Sequence, residues 1–506
     1  MKKLLQIAGL ILLTATSMAE TKDENSDALA AAEPKAGSVT TEHSARINGK
    51  TIKYSATAGL APIRNEEQET IGLFGYTSYI REDVDDRTQR PILFAYNGGP
   101  GSASIWLHMG VLGPQRIPVT DTVFTGPAPF GTINNEFSIL DVADLVMMDP
   151  IGTGYAIPVG EGSGEDFWGV DPDIAAASQF IARFITENDR WNSPKFVLGE
   201  SYGGMRTGGV AYQLLDKYGV GLNGVILVSP FMDVAAARDR FAIDLPHVLY
   251  LPTLAATAWY HNALDNRPEE LVPFVEEVEL FAINEYAPAL LKGSTLDGAE
   301  RAALITKLSA YTGLSEEYWD FSNLRVGHQQ FVQELLRDQD ITVGRVDSRF
   351  KGRSIDRLNA RMQYDPFGDS VGPAFTAAWM HYLTNDLEFK QDRVYQVSGG
   401  VRDWDWLHTT PNGRNTLITN TAIDLATTMT RYPSMQVLVQ QGYFDLATPH
   451  FVLEYVLNHM DLDDEQRARI SVEMYEAGHM MYVHPPSLEQ YSEDLRDFVL
   501  DNDGLD

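Results

Sequence analysis

The chain has 506 residues, 44% hydrophobic, 10% aromatic and 22% charged. That is enough apolar material for a large core, and it excludes a disordered chain or a polytopic membrane protein. Lys and Arg number 39 against 70 Asp and Glu, a net charge of −31. So acidic a surface argues against nucleic acid as the main partner and against tight docking on anionic lipid.

Lys2 and Lys3 precede an apolar run, Leu4 to Leu13, too short to span a bilayer, and Ser17-Met18-Ala19 supplies small residues. This predicts a signal peptide over 1–19, cut at about Ala19, and a protein exported to the periplasm or beyond, with no stable membrane insertion once it is removed. The chain contains no cysteine, so core burial must hold it together, and thiol catalysis and cysteine metal sites are removed. Residues 20–43 are poor in apolar side chains and are expected to be a flexible tether.

From 44 onward short alternating strands are expected at Ala45–Ile47, Thr51–Tyr54 and Ile71–Ile80. Buried parallel strands are expected at Ile92–Tyr96, Asp144–Met148, Phe196–Leu198, Val225–Val228, Gln436–Val439 and Ile470–Met474. Helical periodicity over Ile174–Thr186, Met205–Tyr218 and Phe451–His459 lies between them. Strand and helix in alternation predict an α/β fold with a mostly parallel central sheet. Residues 241–428 break the rhythm with helical patterns at Leu251–His261, Glu269–Leu291 and Ala299–Tyr311. The expected division is a core over 44–240, a mostly helical insertion (cap) over 241–428, and the rest of the core over 429–506.

The apolar strand ending at Leu198 runs into Gly199-Glu200-Ser201-Tyr202-Gly203, and a helical pattern follows. This is a G-x-S-x-G nucleophile elbow in strand–turn–helix context, with Ser201 as the nucleophile. A serine hydroxyl needs a base, and the base needs a carboxylate to orient it. In chain order Ser, Asp, His, the places after the last two strands hold Asp445 and His479, 34 residues apart, one strand–helix–strand step. His450 and His484 compete with His479 for the role. The loop Asn97-Gly98-Gly99-Pro100-Gly101-Ser102 follows a buried strand and lacks the Gly-Lys-Ser/Thr of a phosphate loop. Its amides and that of Tyr202 are placed to form an oxyanion hole. Trp404 and Trp406 read as core packing before site lining.

These stretches, with Asp149-Pro150-Ile151-Gly152-Thr153-Gly154-Tyr155, Gly442-Tyr443-Phe444-Asp445 and Ala477-Gly478-His479-Met480, resemble the serine carboxypeptidase family of α/β-hydrolases. Leu251 to Tyr260 resembles its exported bacterial members. The resemblance implies a triad of Ser201, Asp445 and His479, and an oxyanion hole from the Gly99 and Tyr202 amides. It implies that Asn97, Gly98 and Glu200 hold the free C-terminal carboxylate of a peptide, with Glu200 protonated so that it donates rather than repels. Many relatives pair this glutamate with a second one, two residues before a Gly-Pro. Here Gly113-Pro114 is preceded by Val111 instead, so the carboxyl pair is missing.

The function expected is a serine-type carboxypeptidase without metal or other cofactor, acting on peptides with a free C-terminus. His479 to His484 does not form the His-Glu-x-x-His of a zinc site. An esterase or acyltransferase using the same triad, or a non-catalytic peptide-binding protein on this scaffold, are the alternatives. Asn97 and Glu200 make sense for a free carboxylate and little sense for a plain ester.

Overall fold

The computed structural model describes residues 36–238 and 243–505. The expected signal peptide, 1–19, and residues 20–35 of the expected tether lie outside the described residues.

A ten-stranded sheet runs through the molecule. Its main strands are β1 (Gly37–Ile47), β2 (Lys50–Arg64), β3 (Thr70–Arg81), β4 (Ile92–Tyr96), β5 (Asp144–Asp149), β6 (Lys195–Glu200), β7 (Gly224–Val228), β8 (Gln436–Gly442) and β9 (Ile470–Tyr475). They lie in the order β1-β2-β3-β5-β4-β6-β7-β8-β9, and the short strand Ile157–Pro158 pairs with β3. The three N-terminal strands are antiparallel, and β3 joins β5 antiparallel. From β5 to β9 every pairing is parallel.

Every residue of β4 and of β7 is buried, as befits strands covered on both faces. Side chains alternate between two cores. Phe94, Tyr96, Val146 and Val197 point into one, and Leu93, Ala95, Leu145 and Phe196 into the other. Helices α1 (Val170–Glu187) and α2 (Tyr202–Tyr218) cover the first.

Between β7 and β8 the chain is mainly helical. It contains α3 (Leu245–Tyr260), α4 (Leu271–Phe281), α5 (Gly298–Thr312), α6 (Pro366–Asn385) and α7 (Ala422–Arg431). Then α8 (His450–Asn458) joins β8 to β9, and α9 (Pro485–Asp501) ends the described fold, its Leu488, Tyr491 and Leu495 in the second core. Phe375 and Trp379 of α6 join that second core, so the inserted segment braces the sheet as well as covering its edge.

Two boundaries differ from the sequence reading. Residues 37–43, expected in the tether, belong to β1, which pairs with β2 along its whole length. The strand carries Ser, Thr, Glu and His on an exposed edge, so composition hides it. The sheet scaffold resumes at Ala422, not 429, because α7 packs on α2 and puts Leu425 and Met429 into the first core. Among the described residues no helix is long and apolar enough to cross a membrane.

Candidate active site

The carboxyl ends of the parallel strands stand level. Val228 pairs with Glu200 on one side and Gln440 on the other, and Gly442 pairs with Tyr475. Residues just beyond β4, β6, β8 and β9 therefore meet at one rim.

Ser201 leaves β6 and caps α2 with φ 62° and ψ −126°, a conformation costly for a side-chain-bearing residue. Its backbone is fixed from two sides: its N–H donates to Val228 O at 2.9 Å, and its carbonyl accepts from Phe231 N at 2.9 Å. Gly199 is required by close approach, because a Cβ there would collide with the Gly203 carbonyl and the Thr207 hydroxyl. At Gly98 a Cβ would collide with the Tyr202 and Gly203 amides, so the loop after β4 lies directly over the first amides of α2. Those amides carry the positive end of the helix dipole.

His479 Nδ1 bonds Asp445 Oδ2 at 2.7 Å, and Thr448 Oγ1 is 3.1 Å from the same nitrogen. Asp445 is fully buried. Its Oδ1 accepts from Ala447 N at 2.8 Å and Thr448 N at 2.9 Å, and its Oδ2 accepts from Thr448 Oγ1 at 2.6 Å. The histidine backbone is also pinned: its N–H donates to Val346 O, and its carbonyl accepts from Ser229 Oγ, each at 2.8 Å. Burial alone would lower the imidazole's proton affinity, but the charge and hydrogen bond of Asp445 outweigh it and hold the pKa above the usual histidine value.

Seven of the eight expected residues line one cavity of about 600 Å³: Asn97, Gly98, Gly99, Glu200, Ser201, Tyr202 and His479. Asp445 stands behind His479. Neither Ser201 Oγ nor His479 Nε2 has a hydrogen-bond partner among the described residues, so the hydroxyl and the free ring nitrogen share the cavity without yet being joined. Such contacts often tighten only around substrate. An imidazole anchored on a buried carboxylate, facing a serine on a strained turn with amides beside it, can deprotonate a hydroxyl and receive an oxyanion.

Glu200 is buried between two donors. Asn97 Nδ2 reaches its Oε1 at 2.7 Å and the Tyr482 hydroxyl its Oε2 at 2.8 Å. Burial pushes the carboxyl up to about 7, against the opposing pull of His479 and of both hydrogen bonds. Asn97 is held in turn, its Oδ1 accepting from Leu107 N at 3.1 Å and its carbonyl from Arg206 at 2.9 Å. Val111 is apolar and buried, as the sequence requires.

The sequence reading missed Tyr482, Thr448 and Arg206. Thr448 lies three residues beyond Asp445, in its turn, and Tyr482 three beyond His479. Neither sits in a motif that periodicity or spacing marks. The competing histidines have other duties: His450 bonds Thr253 and Glu279, and His484 bonds Ser487. Trp404 and Trp406 pack against the first core, both edge-on to Tyr202, and Trp406 also lines the cavity. The motif 149–155 buttresses the glycine loop. Asp149 accepts from Ser104 N at 2.8 Å and from the Tyr395 hydroxyl at 2.7 Å, tying the loop to the inserted segment.

Residues 50–272 match the family model described as serine carboxypeptidase. A prohormone-processing carboxypeptidase, Kex1, from Saccharomyces cerevisiae superposes with a TM-score of 0.57 at 14% identity, covering 88% of this chain and 91% of that one. Over residues 50–272 the chain resembles the serine carboxypeptidase family. The fold is that of the α/β-hydrolases, and family and fold together support a serine hydrolase of the peptidase class. A proline iminopeptidase from Mycobacterium smegmatis is also similar, with a TM-score of 0.33 at 13% identity, over 92% of this chain and 99% of that one. A comparison with curated protein sequences finds no match.

Proposed function

We propose that this protein is a serine carboxypeptidase that removes C-terminal amino acids from peptides one at a time. The observation that carries the reading is the single cavity in which Ser201, His479 and the Asn97–Glu200 pair all present their side chains. A nucleophile next to a carboxyl that can be neutral, itself next to an amide, is suited to a peptide bond whose leaving amine carries a free carboxylate. Asn97, the Gly98 backbone and protonated Glu200 bind that terminal carboxylate, which fixes the last peptide bond over Ser201.

Ser201 Oγ attacks the last peptide carbonyl while His479 takes its proton, and Asp445 stabilises the imidazolium that forms. The amides of Gly99 and Tyr202 hold the oxyanion, each worth about 3–4 kcal/mol in such sites. His479 then gives its proton to the leaving amine. The free amino acid departs and the shortened peptide remains as an ester on Ser201. Water, deprotonated by His479, attacks that ester and frees both peptide and serine. The chemistry uses side chains and backbone amides throughout. The leading segment read as a signal peptide supports action outside the cytoplasm.

The test is mass spectrometry of peptides with a blocked N-terminus, incubated with the wild type and with Ser201→Ala. Stepwise loss from the C-terminus by the wild type alone is expected. Hydrolysis of esters with intact peptides would favour an esterase instead. Failure of a fluorophosphonate to label the wild type would favour a binding protein.

A further inference from the structure

Glu200 and His479 sit in one buried site, and peptide hydrolysis asks opposite things of them. Glu200 must hold a proton to donate to a carboxylate, and His479 must lack one to act as base. When the pair carries a single proton, only the arrangement with that proton on Glu200 is competent.

Which arrangement wins depends on what faces Glu200. From the loop after β4 comes Asn97, neutral, donating to Oε1 at 2.7 Å. From the turns after β8 and β9 come Asp445 and His479, the first favouring the protonated carboxyl and the second opposing it. From α9 comes Tyr491, whose own proton Glu200 helps retain. The remaining partner is Tyr482, whose hydroxyl donates to Oε2 at 2.8 Å. Tyr482 is 1% exposed, and its ring lies where a Cβ on Gly110 would have to go, so it cannot swing away. Its ring also stands edge-on to Tyr491, with centroids 6.2 Å apart. A phenol locked in this pose stabilises the carboxylate more than the neutral acid.

We propose that Tyr482 is a positioning residue that sets the proton distribution between Glu200 and His479, and through it the pH range over which a free C-terminal carboxylate is accepted. This rests on the carboxypeptidase reading. Tyr482 draws the shared proton toward His479. It thereby narrows the alkaline side of peptide hydrolysis while leaving the nucleophile, the base and the oxyanion donors in place.

The test begins without substrate. The carbonyl infrared band of protonated Glu200, assigned by its loss in Glu200→Gln, is followed with pH in the wild type and in Tyr482→Phe. The midpoint is expected to rise by about one pH unit in the phenylalanine variant, as loss of one charge-assisted hydrogen bond requires. The alkaline fall of kcat/KM on blocked peptides should move by the same amount. A second variant carries 3-fluorotyrosine at position 482, nearly the same size and a stronger donor, and its midpoint should fall instead; it decides the matter alone if Tyr482→Phe does not fold. An unchanged midpoint, or shifts of the same sign in both variants, overturns the proposal. Peptides left intact by the wild type would overturn the carboxypeptidase reading alone, because the infrared midpoints judge Tyr482 independently.

Discussion

Asp445 shows how much one residue's role depends on acceptor geometry. Its four nearest donors are His479 Nδ1, Thr448 Oγ1 and the amides of Ala447 and Thr448, all within 2.9 Å. Only an acceptor-only group on the Oδ2 side keeps the proton of His479 on Nδ1 and leaves Nε2 free for Ser201. Asp445→Asn keeps the shape but can place an amide N–H there, which inverts the tautomer. The expected result is a kcat loss of about 10³–10⁴-fold in C-terminal release, with the circular dichroism spectrum unchanged. A loss of less than tenfold would remove Asp445 from the triad. Asp445 and His479 were legible because chain order and strand ends confine them to two short turns. Tyr482 was not, since a buried tyrosine in an apolar turn looks the same whether its hydroxyl faces a backbone carbonyl or the carboxyl of Glu200.

At the scale of elements, α1 and α2 are locked together beneath the site by a buried ion pair. Arg206 of α2 donates from Nε to Asp173 Oδ2 of α1 at 2.7 Å, with side-chain exposures of 1% and 5%. The same guanidinium holds the Asn97 carbonyl at 2.9 Å and lies over the rings of Tyr96 and Tyr202. Removing one partner leaves a buried charge without compensation, whereas removing both does not. Arg206→Leu should therefore lower stability by about 3–5 kcal/mol in urea unfolding. Arg206→Leu combined with Asp173→Leu should recover a large part of that. A double variant no more stable than the single one would show that packing, not charge, is what Arg206 supplies. The strands and helices that frame this pair were readable from the sequence, because buried parallel strands are short apolar runs and their helices keep a period near 3.6. The segment between β7 and β8 was readable only as helical. Which of its residues reach the cavity is set by tertiary contacts such as those of Tyr395 with Asp149, which no local period encodes.

For the whole molecule, several buried groups titrate in the same sense. Glu200 is raised by burial from 4.5 to about 7. His408 in the inserted segment bonds Asp171 of α1 at 2.6 Å and Asp424 of α7 at 3.0 Å. Burial opposes its charge, yet these two carboxylates raise it from 6.5 to about 9. Both groups bind their proton more tightly folded than unfolded, so each stabilises the fold at low pH and loses that contribution as pH rises. The Glu200 contribution is complete below 4.5 and lost through about 7; that of His408 is complete below 6.5 and lost through about 9. Asp149 and Asp365 are also raised, chiefly by burial, and act in the same direction. Self-repulsion among surface carboxylates, at a net charge of −31, grows over the lower part of this range but is screened by salt. Buried His108, lowered by burial from 6.5 to about 3, acts in the opposite sense below pH 6.5, and Lys195, lowered by burial from 10.5 to about 8, does so above pH 8; calorimetry at high salt should therefore give a melting temperature that falls from about pH 6.5 to about pH 8. His408→Gln should flatten that fall, and Glu200→Gln should make the melting temperature rise between about pH 4.5 and 6.5, where His108 is then unopposed. A wild-type melting temperature that climbs between pH 6.5 and 8 would show that Glu200 and His408 do not hold their protons in the fold as their surroundings require.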